Sequence, residues 1–330
     1  MSLRIIKGGI QDTIQDLGRF GFQHLGINPS GAMDKLSAQI ANALVGNRTN
    51  DAVIEMHFPA AEIFFEHPAL IAISGADFMA SVNGDEIPCL HPIAVSKYSI
   101  LQFYRLRTGA RVYLSVQGGF DIPEWYNSYS TNLKAGTGGF KGKTLQKDDE
   151  IHIRAHAELS GILGKKEYHI FPWKASVNWN GEEENVLVVA GNEWNNLTGK
   201  SKDRFLQKPF LITNQSDRMG YRLHGKALTM KKEQELVSSA VCFGTIQLLP
   251  EGQPIVLMAD HQTTGGYPRI AHVISAHHSR MAQLRAGESL QFEMTDQLTA
   301  EKLLLKQHQH LLQLQNACKF RLEKEFGPMM

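Results

Sequence analysis

The chain has 330 residues, 42% of them hydrophobic and 20% charged, and its formal net charge is +1. This near-neutral balance excludes a broad electrostatic attraction to nucleic acid or to a membrane surface, so we expect neither as a partner. The three cysteines, Cys89, Cys242 and Cys318, form no CxxC pair, and no apolar run approaches the ~18 residues of a spanning helix, so we expect reduced thiols and a cytoplasmic protein.

One helix is predicted near the N-terminus. Its apolar residues recur at helical spacing at Met33, Leu36, Ile40, Ala43 and Leu44. We expect Ser30 to cap the start of this helix, Asp34 to lie in its first turn and Gly46 to end it.

Most of the remaining pattern is typical of β-strands. Alternating or continuous apolar runs predict strands at 70–73, 100–105, 112–116, 150–154, 186–190, 209–212 and 255–259. The pair Asn83-Gly84 indicates a hairpin with a type I′ turn. We therefore predict a mostly β (α+β) fold with one N-terminal helix and a C-terminal helical tail.

The tail is predicted to be an amphipathic helix. Its apolar positions are Leu304, Leu311, Cys318, Leu322 and Phe326, with Glu and Lys between them. One alternative is a helix docked on its own lobe. The other is a helix that helps to hold a partner or a second copy of the chain.

The length exceeds the ~100–200 residues usual for one domain, which predicts two lobes. We expect an N-terminal lobe at 1–160, a linker at 161–184, a C-terminal β lobe at 185–295 and the helical tail at 296–330. The linker is indicated by the glycines, lysines and turn residues that interrupt the strand pattern there.

The stretch at 254–270 is the strongest candidate for a site. A predicted buried strand runs into polar residues and glycines: Asp260, Gln262, Thr263, Thr264, Gly265, Gly266 and Tyr267. The two glycines permit a sharp turn and a close approach to a ligand, and consecutive N–H groups in this loop can hold an anion. The alternative is a polar turn between two core strands.

Two segments resemble phosphate-binding loops but fail on spacing. Five residues separate Gly136 from Gly142, where a P-loop has four, and the segment at 197–201 lacks the first glycine. We reject a Walker site. Gly138 and Gly139 can still offer backbone amides to an anion, or they belong to a plain glycine-rich loop. Because no HExxH motif and no Cys/His quartet occurs, we expect no metal site built from such motifs.

Long motifs resemble a known family. The run QDLGRFGFQHLGINPSGAMDKLSAQIANALVGN at 15–47 strongly resembles the N-terminal signature of the allophanate hydrolase subunit 2-like family, in the biotin-dependent carboxyltransferase-like group. The similarity continues through STNLKAGTGGFKGKTL at 130–145, SDRMGYRLHG at 216–225 and most of 244–274. It covers nearly all of 3–293 and is greatest to the 5-oxoprolinase branch. The chain departs from the family pattern at Gly191-Asn192, at His277-His278, where the family often has an acidic residue, and in the tail from about 296.

The resemblance implies two β-rich lobes with cyclophilin-like barrel character. It also implies a subunit of an ATP-dependent 5-oxoprolinase, which opens 5-oxoproline to glutamate together with a subunit 1-like partner and a third subunit. ATP with Mg²⁺ and a small-molecule amide are then the reactants, with no covalently bound cofactor. Two alternatives are a carboxyltransferase-type subunit acting on a urea-like amide, with biotin on another protein, and a non-catalytic regulatory partner of a kinase inhibitor.

Such chemistry needs cations on phosphate oxygens and an acid or base near the ring amide. We expect Arg19, Asp217 and Asp260 to be catalytic. The expected substrate or nucleotide contacts are Arg218, Tyr221, Arg222, Gln262, Thr263, Thr264, Gly265, Gly266, Tyr267, Ser30, Asp34, Gly138 and Gly139. The alternative for two of the arginines is that Arg19 pairs with Asp16, and Arg218 with Asp217, only to fix turns.

Overall fold

A computed structural model describes residues 1–154, 158–176, 185–232 and 236–327, and the chain divides into two compact units. The first unit comprises Met1–Arg19, Asp34–Val177 and Gln309–Met330, and the second comprises Phe20–Met33 and Asn178–His308. The lobe boundaries expected from the sequence stay a prediction, and part of the expected linker, 177–184, lies outside the described residues. The compact units differ from that division by assigning 20–33 to the second unit and 309–330 to the first.

The first unit is built from two sheets. Its strands are β1 (Ser2–Lys7), β2 (Thr13–Gln15), β3 (Val53–Met56), β4 (Glu62–Phe65), β5 (Ala69–Asp77), β6 (Ala80–Val82), β7 (Asp85–Glu86), β8 (Pro92–Val95), β9 (Ile100–Phe103), β10 (Thr108–Val116), β11 (Glu150–His152) and β12 (Tyr168–Ile170). Within the described ranges, the strand order is β11-β1-β4-β9-β6-β7 in one sheet and β12-β8-β5-β10-β3-β2 in the other. Alternate residues of both sheets, such as Leu3 and Ile5 of β1 and Ile71 and Ile73 of β5, meet in one core.

Helix α1 (Lys35–Leu44) packs on the second of these sheets, where Ser74 of β5 donates a hydrogen bond to the carbonyl of Ser37. The expected cap at Ser30 is wrong, because Asp34 is the N-cap and accepts the N–H of Ser37 at 3.0 Å. Gly46 follows the helix with φ 77°, as predicted for a C-terminal glycine. The short helix α2 (Ser160–Leu163) also lies in this unit.

Among its described residues, the second unit contains an eight-stranded sheet, a two-stranded sheet, two helices of its own and the first part of the C-terminal helix. Its strands are β13 (Val186–Ala190), β14 (Phe210–Ile212), β15 (Gly220–His224), β16 (Ser239–Ala240), β17 (Thr245–Leu248), β18 (Pro254–Leu257), β19 (Thr264–Gly265), β20 (Arg269–Val273), β21 (Ser289–Leu290) and β22 (Phe292–Met294). The helices are α3 (Gly199–Gln207) and α4 (His278–Ala282), and short 3-10 turns occur at Gln23–Leu25, Trp194–Asn196 and Ser275–His277.

The eight-stranded sheet curls into a nearly closed barrel. Its order in the part of the chain described is β21-β14-β15-β18-β17-β20-β13-β22. Only Gln291 separates β21 from β22, the two edge strands of this sheet. The two edges of the sheet therefore come together at this residue. The carbonyl of Gln291 accepts the N–H of Val186, which joins this connection to β13. The barrel is filled by residues such as Val188, Ile246, Val256 and Phe292.

The C-terminal tail is a helix, α5 (Gln297–Phe326), as predicted. Leu311, Cys318 and Leu322 are buried along one side of it. In the second unit its first turns pack Ala300 and Leu303 against a small cluster of Leu187, Ile274 and Ala276. In the first unit the ring of Phe326 lies 5.9 Å from that of Phe171. The tail is therefore docked on its own chain, which is the first of the two alternatives.

The predicted fold class is confirmed: both units are β-rich, the eight-stranded sheet of the second unit has barrel character, and the chain has an N-terminal helix and a C-terminal helix. The hairpin at Asn83-Gly84 is also confirmed, because both residues have positive φ, 51° and 97°, as a type I′ turn requires. Helix α3 was not predicted, and it starts where Thr198 accepts the N–H of Ser201. No helix of the described ranges is long and apolar enough to cross a membrane.

Candidate functional site

Two polar turns of the second unit meet at one edge of the barrel. Strands β15 and β18 are antiparallel neighbours, with Gly220 opposite Leu257. The turn before β15 therefore lies beside the turn after β18. Backbone hydrogen bonds join them, from Met258 N to the Met219 carbonyl at 3.0 Å and from Asp260 N to the Arg218 carbonyl at 2.8 Å.

The side chains of Arg218 and Asp260 form an ion pair at this edge. Arg218 Nε lies 2.8 Å from Asp260 Oδ2, and Arg218 Nη2 lies 3.2 Å from Oδ1. The segment at 30–31 lies against this pair: the Ser30 hydroxyl donates to Asp260 Oδ1 at 2.6 Å, and Arg218 Nη2 donates to the Gly31 carbonyl at 2.6 Å. We call Ser30, Gly31, Arg218 and Asp260 the Arg218 cluster.

This geometry bears on the expected roles of Asp260 and Arg218. Asp260 already accepts three hydrogen bonds, and Arg218 is 5% exposed in its side chain, so the cluster favours a positioning role over proton transfer. The alternative in which Arg218 pairs with Asp217 is wrong, because the carboxylate partner of Arg218 is Asp260. Asp217 Oδ1 instead accepts the N–H of Met219 at 2.8 Å, because a turn aspartate bonds the backbone two residues on.

Beside the Arg218 cluster lies an open cleft of about 430 Å³. Its lining residues are Gln215, Asp217, Met219, Gly220, Arg222, Gln247, Leu249, Pro250, Glu251, Ile255, Leu257, Gln262 and Tyr267. Four of them, Asp217, Arg222, Gln262 and Tyr267, are residues that the sequence predicted to bind a ligand. Three more of the predicted residues, Ser30, Arg218 and Asp260, form the neighbouring cluster.

The floor of the cleft is the outward face of three strands. Arg222 of β15 lies opposite Ile255 of β18, and Ile255 lies opposite Gln247 of β17. Because side chains alternate along a strand, these three point away from the barrel interior while Tyr221 and Ile246 point into it. Gly220 leaves room in the floor: a Cβ there would lie 2.9 Å from Ile255 Cδ1.

Arg222 is the cation of this cleft. Within the ranges that the structure describes, its guanidinium makes no hydrogen bond and no ion pair. Asp217 and Glu251 add two carboxylates to the lining. The cleft therefore offers one free guanidinium, amide groups and an apolar floor.

Two amides and one aromatic ring form the wall of the cleft. Gln247 is buried, and its Nε2 donates to the Tyr267 carbonyl at 3.4 Å, while its Oε1 lies 3.5 Å from Gln262 Nε2. A Cβ on Gly265 would lie 2.5 Å from Gln247 Nε2, so the glycine permits this close approach. The ring of Tyr267 is 46% exposed and remains accessible.

The expected anion nest at 263–266 is wrong. Thr264 and Gly265 form β19 and pair with Ser239 and Ala240, so this segment is extended. Consecutive N–H groups of a strand point in opposite directions and cannot hold one anion. Neither Gly265 nor Gly266 has a positive φ. Gly266 instead permits close packing, since the nearest atom to a Cβ at this position would be Ser238 Oγ, at 3.3 Å.

Three other residues that were expected to contact a ligand make hydrogen bonds within the protein instead. Tyr221 is 3% exposed in the barrel core, and its hydroxyl donates to the Leu284 carbonyl, so it does not face the cleft. The carbonyl of Thr263 accepts the N–H of Val241. Asp34 is the helix cap described above, and its backbone N–H donates to the Tyr113 hydroxyl.

The first unit holds the remaining predicted residues. The buried guanidinium of Arg19 donates to the carbonyl of Ser130 and lies 4.6 Å from the ring centre of Trp125. A Cβ on Gly138 would lie 2.2 Å from the Ser130 carbonyl oxygen and 3.1 Å from Arg19 Nη2. Arg19 and the glycine-rich segment are thus neighbours, and the close packing explains the glycine. The segment's role as an anion site stays a prediction.

Sequence reasoning missed Gln247, Gln215 and Glu251 in the cleft lining. The signal for Gln247 was the alternation of the strand Thr245–Leu248, in which Ile246 and Leu248 point into the core and Gln247 therefore points to the outer face. Gln215 and Glu251 lie in turns that carry no such signal. No group of three or more His, Cys, Asp or Glu residues in the described segments is arranged to hold a metal ion.

Comparisons with known proteins place this geometry in context. The model of the family described as "Carboxyltransferase domain, subdomain A and B" matches residues 25–294. A 5-oxoprolinase subunit of Haemophilus influenzae is 36% identical over 302 residues, 92% of this chain and 94% of that protein. A 5-oxoprolinase subunit of Escherichia coli is 34% identical over 316 residues, 94% of this chain and 97% of that protein.

A solved structure shares the fold. The urea carboxylase of Kluyveromyces lactis superimposes on 95% of this chain with a TM-score of 0.82 and 23% sequence identity. The chain spans 29% of that enzyme. At this identity the similarity establishes the fold alone.

Proposed function

Because this chain belongs to the carboxyltransferase domain family, subdomains A and B, we propose that it is a subunit of an ATP-dependent 5-oxoprolinase. In this proposal the chain binds 5-oxoproline and the assembled enzyme opens the ring to glutamate. The cleft beside the Arg218 cluster is the proposed substrate site.

The two relatives named as 5-oxoprolinase subunits carry this proposal. They match this chain almost end to end, over 94% and 97% of their own lengths. Urea carboxylase is a longer protein, of which this chain spans 29%. The match over nearly the full length of both relatives supports the function of a 5-oxoprolinase subunit.

The chemistry of the cleft suits a small lactam with a carboxylate. A volume of about 430 Å³ lies within the ~300–1,000 Å³ of small-molecule sites. Arg222 binds the substrate carboxylate through charge-assisted hydrogen bonds, since its guanidinium makes no other contact among the described residues. The exposed side chain of Gln262 supplies an N–H donor and a carbonyl acceptor to the lactam, and Ile255 and Tyr267 cover the ring carbons.

The cleft does not fit a nucleotide triphosphate. It offers one guanidinium, Arg222, against two carboxylates, Asp217 and Glu251, whereas phosphoryl transfer needs several cations around the phosphate oxygens. ATP with Mg²⁺ remains in our proposal as a reactant of the assembled enzyme, bound outside this cleft. No step of this chain's chemistry is assigned to it.

The Arg218 cluster has a supporting part in this proposal. By tying the segment at 30–31 to the turns at 218 and 260, it fixes the start of β15 and with it the position of Arg222, four residues on. The partners are proposed to be a subunit 1-like protein and a third subunit, which complete the active site. The subunit naming of the two relatives supports such an assembly.

The test is 5-oxoproline-dependent ADP and glutamate production by the chain mixed with its partner subunits. We expect turnover by the mixture and none by the chain alone. Arg222→Ala should raise the KM for 5-oxoproline, and Arg222→Lys should restore part of the loss. Turnover by the partners in the absence of this chain would refute the proposal.

A carboxyltransferase acting on a urea-like amide is the second candidate. The family description and the shared fold with urea carboxylase favour it. The two candidates differ in their cofactor, because carboxyl transfer needs biotin on a second protein. Avidin should abolish the activity of a carboxyltransferase assembly and leave a 5-oxoprolinase unaffected.

A further inference from the structure

An exposed thiol, a hydroxyl and an imidazole form a hydrogen-bonded row on the second unit. Cys242 Sγ lies 3.3 Å from Thr245 Oγ1, and Thr245 Oγ1 lies 3.2 Å from His272 Nδ1. Cys242 is exposed, Thr245 is fully buried and His272 is half-buried. The row therefore runs from solvent to a buried position on the outer face of the barrel, since Ile246 and Ala271, the neighbours of Thr245 and His272, are the residues that point into it.

Thr245 links the thiol to the imidazole. Its Oγ1 accepts the backbone N–H of Cys242 at 3.2 Å. The hydroxyl has one further lone pair and one proton, with which it can accept from the thiol and donate to His272 Nδ1 when that ring carries its proton on Nε2. Burial, and then Arg269, lower the pKa of His272 below its usual 6.5, against the opposing effect of Glu193, so the ring is neutral at neutral pH and has a lone pair to offer.

The two other cysteines have no such arrangement. Burial raises the pKa of Cys89 to about 12 and that of Cys318 to about 11. Since the thiolate is the reacting form, both are inert in the folded protein. They provide two internal controls.

The position of Cys242 connects it to the cleft. Val241, the preceding residue, donates its N–H to the Thr263 carbonyl at 3.2 Å. Ala240 lies opposite Thr264 in the two-stranded sheet. A group attached to Cys242 thus lies beside the segment that carries Gln262 and Tyr267.

We propose that Cys242 is a modification site that forms mixed disulfides with small disulfide molecules, with Thr245 and His272 taking up the thiol proton. The thiol proton passes to the Thr245 hydroxyl as that hydroxyl gives its own proton to His272. The Cys242 sulfur attacks one sulfur of the disulfide, a new S–S bond forms and the old one breaks. The leaving thiolate takes a proton and is reduced, while Cys242 is oxidised.

The test is the rate of reaction of the native full-length chain with 5,5′-dithiobis(2-nitrobenzoate), followed by the released thiolate, and with glutathione disulfide, followed by mass. We expect one fast thiol, which Cys242→Ser removes. Thr245→Val and His272→Asn should each slow this thiol by at least about tenfold, which is less than the roughly 10²–10⁴-fold typical of proton transfer to a positioned side chain in an enzyme. Thr245→Ser, which keeps the hydroxyl, should restore the rate.

Matched controls separate reactivity from folding. Thr108→Val, at an exposed position of the first unit, should leave the rate unchanged. Rates are compared only between variants with the same melting temperature. A partly unfolded variant is also recognised because its Cys89 and Cys318 react rapidly. The proposal is overturned if Cys242 in the native chain reacts as slowly as those two, or if Thr245→Val reacts at the parent rate. None of these outcomes depends on the proposed 5-oxoprolinase activity.

Discussion

Arg218 holds Asp260 through two N–H groups of one guanidinium, with Nε 2.8 Å from one carboxylate oxygen and Nη2 3.2 Å from the other. Four residues along the chain, Arg222 has a guanidinium that makes no contact of this kind within the described part of the structure. Arg218, in the turn before β15, thus stabilises the fold, whereas Arg222, in β15, is available to a ligand in the cleft.

Substituting these two arginines should separate stability from binding. Arg218→Ala leaves a nearly buried carboxylate without its cation and should cost about 3–5 kcal/mol of unfolding free energy. Arg222→Ala removes an exposed side chain and should change it by less than about 0.5 kcal/mol. Urea unfolding of both variants provides the measurement. Equal losses would show that the assigned tasks are wrong.

The floor of the cleft can be altered at Gly220. In Gly220→Ala the new methyl group would lie 2.9 Å from Ile255 Cδ1 and 3.2 Å from the Val256 carbonyl oxygen. Because Ile255 must shift, we expect a cost of about 1–3 kcal/mol and a narrower cleft with weaker ligand binding. Gly199→Ala, at a position with open space around it, is the matched control and should cause neither effect. A crystal structure with Ile255 unmoved would contradict the first expectation.

The buried carboxyl of Asp12 should make the protein less stable as pH rises. Burial raises its pKa from 3.8 to about 7, although the N–H groups of His57 and Ala61 act in the opposite direction. The folded state then binds more protons than the unfolded state between about pH 4 and 7, so unfolding free energy falls across this window, by up to about 4 kcal/mol. Asp12→Asn should flatten this dependence in urea unfolding measured at several pH values. An unchanged slope would refute the assignment.

The buried imidazole of His277 should make the protein less stable as pH falls. Its Nδ1 accepts the N–H of Leu187 at 3.0 Å, and burial, followed by Arg280, lowers its pKa to about 4 despite Glu293. The unfolded state binds the additional proton, so stability is lost as pH falls from about 6.5 to 4, by up to about 3 kcal/mol. His277→Asn keeps an acceptor and should reduce this acid loss. His152→Asn, at an exposed histidine, should not.

Local patterns predicted the local structure. The helical spacing that begins at Met33, the turn at Asn83-Gly84 and the apolar stripe of the tail all appear where expected, because neighbouring residues decide them. The cap of α1 was assigned to Ser30, whereas the structure has it at Asp34. Both residues suit a cap, and only the backbone path selects between them.

The candidate site depended on distant pairings. Arg218 and Asp260 are 42 residues apart, and Ser30 and Asp260 are 230 apart. Sequence reasoning selected all three residues for their chemistry, yet the only ion-pair partner that it considered for Arg218, as an alternative, was its neighbour Asp217. Strand register decides such pairs, since Gly220 opposite Leu257 is what sets the two turns side by side. The alternation that turns Tyr221 inward and Arg222 outward follows from the same register.

The hydrogen bond from Ser30 to Asp260 also orders the steps of folding during synthesis. The acceptor is synthesised 230 residues after Ser30, so the hydrogen bond cannot form before then. The first unit likewise includes Gln309–Met330, which is synthesised after the whole of the second unit. Because nascent domains fold as units once their sequence is available, the first unit cannot finish folding before the second has been made. We therefore expect the first unit to stay incompletely packed until then, with apolar surface exposed to association.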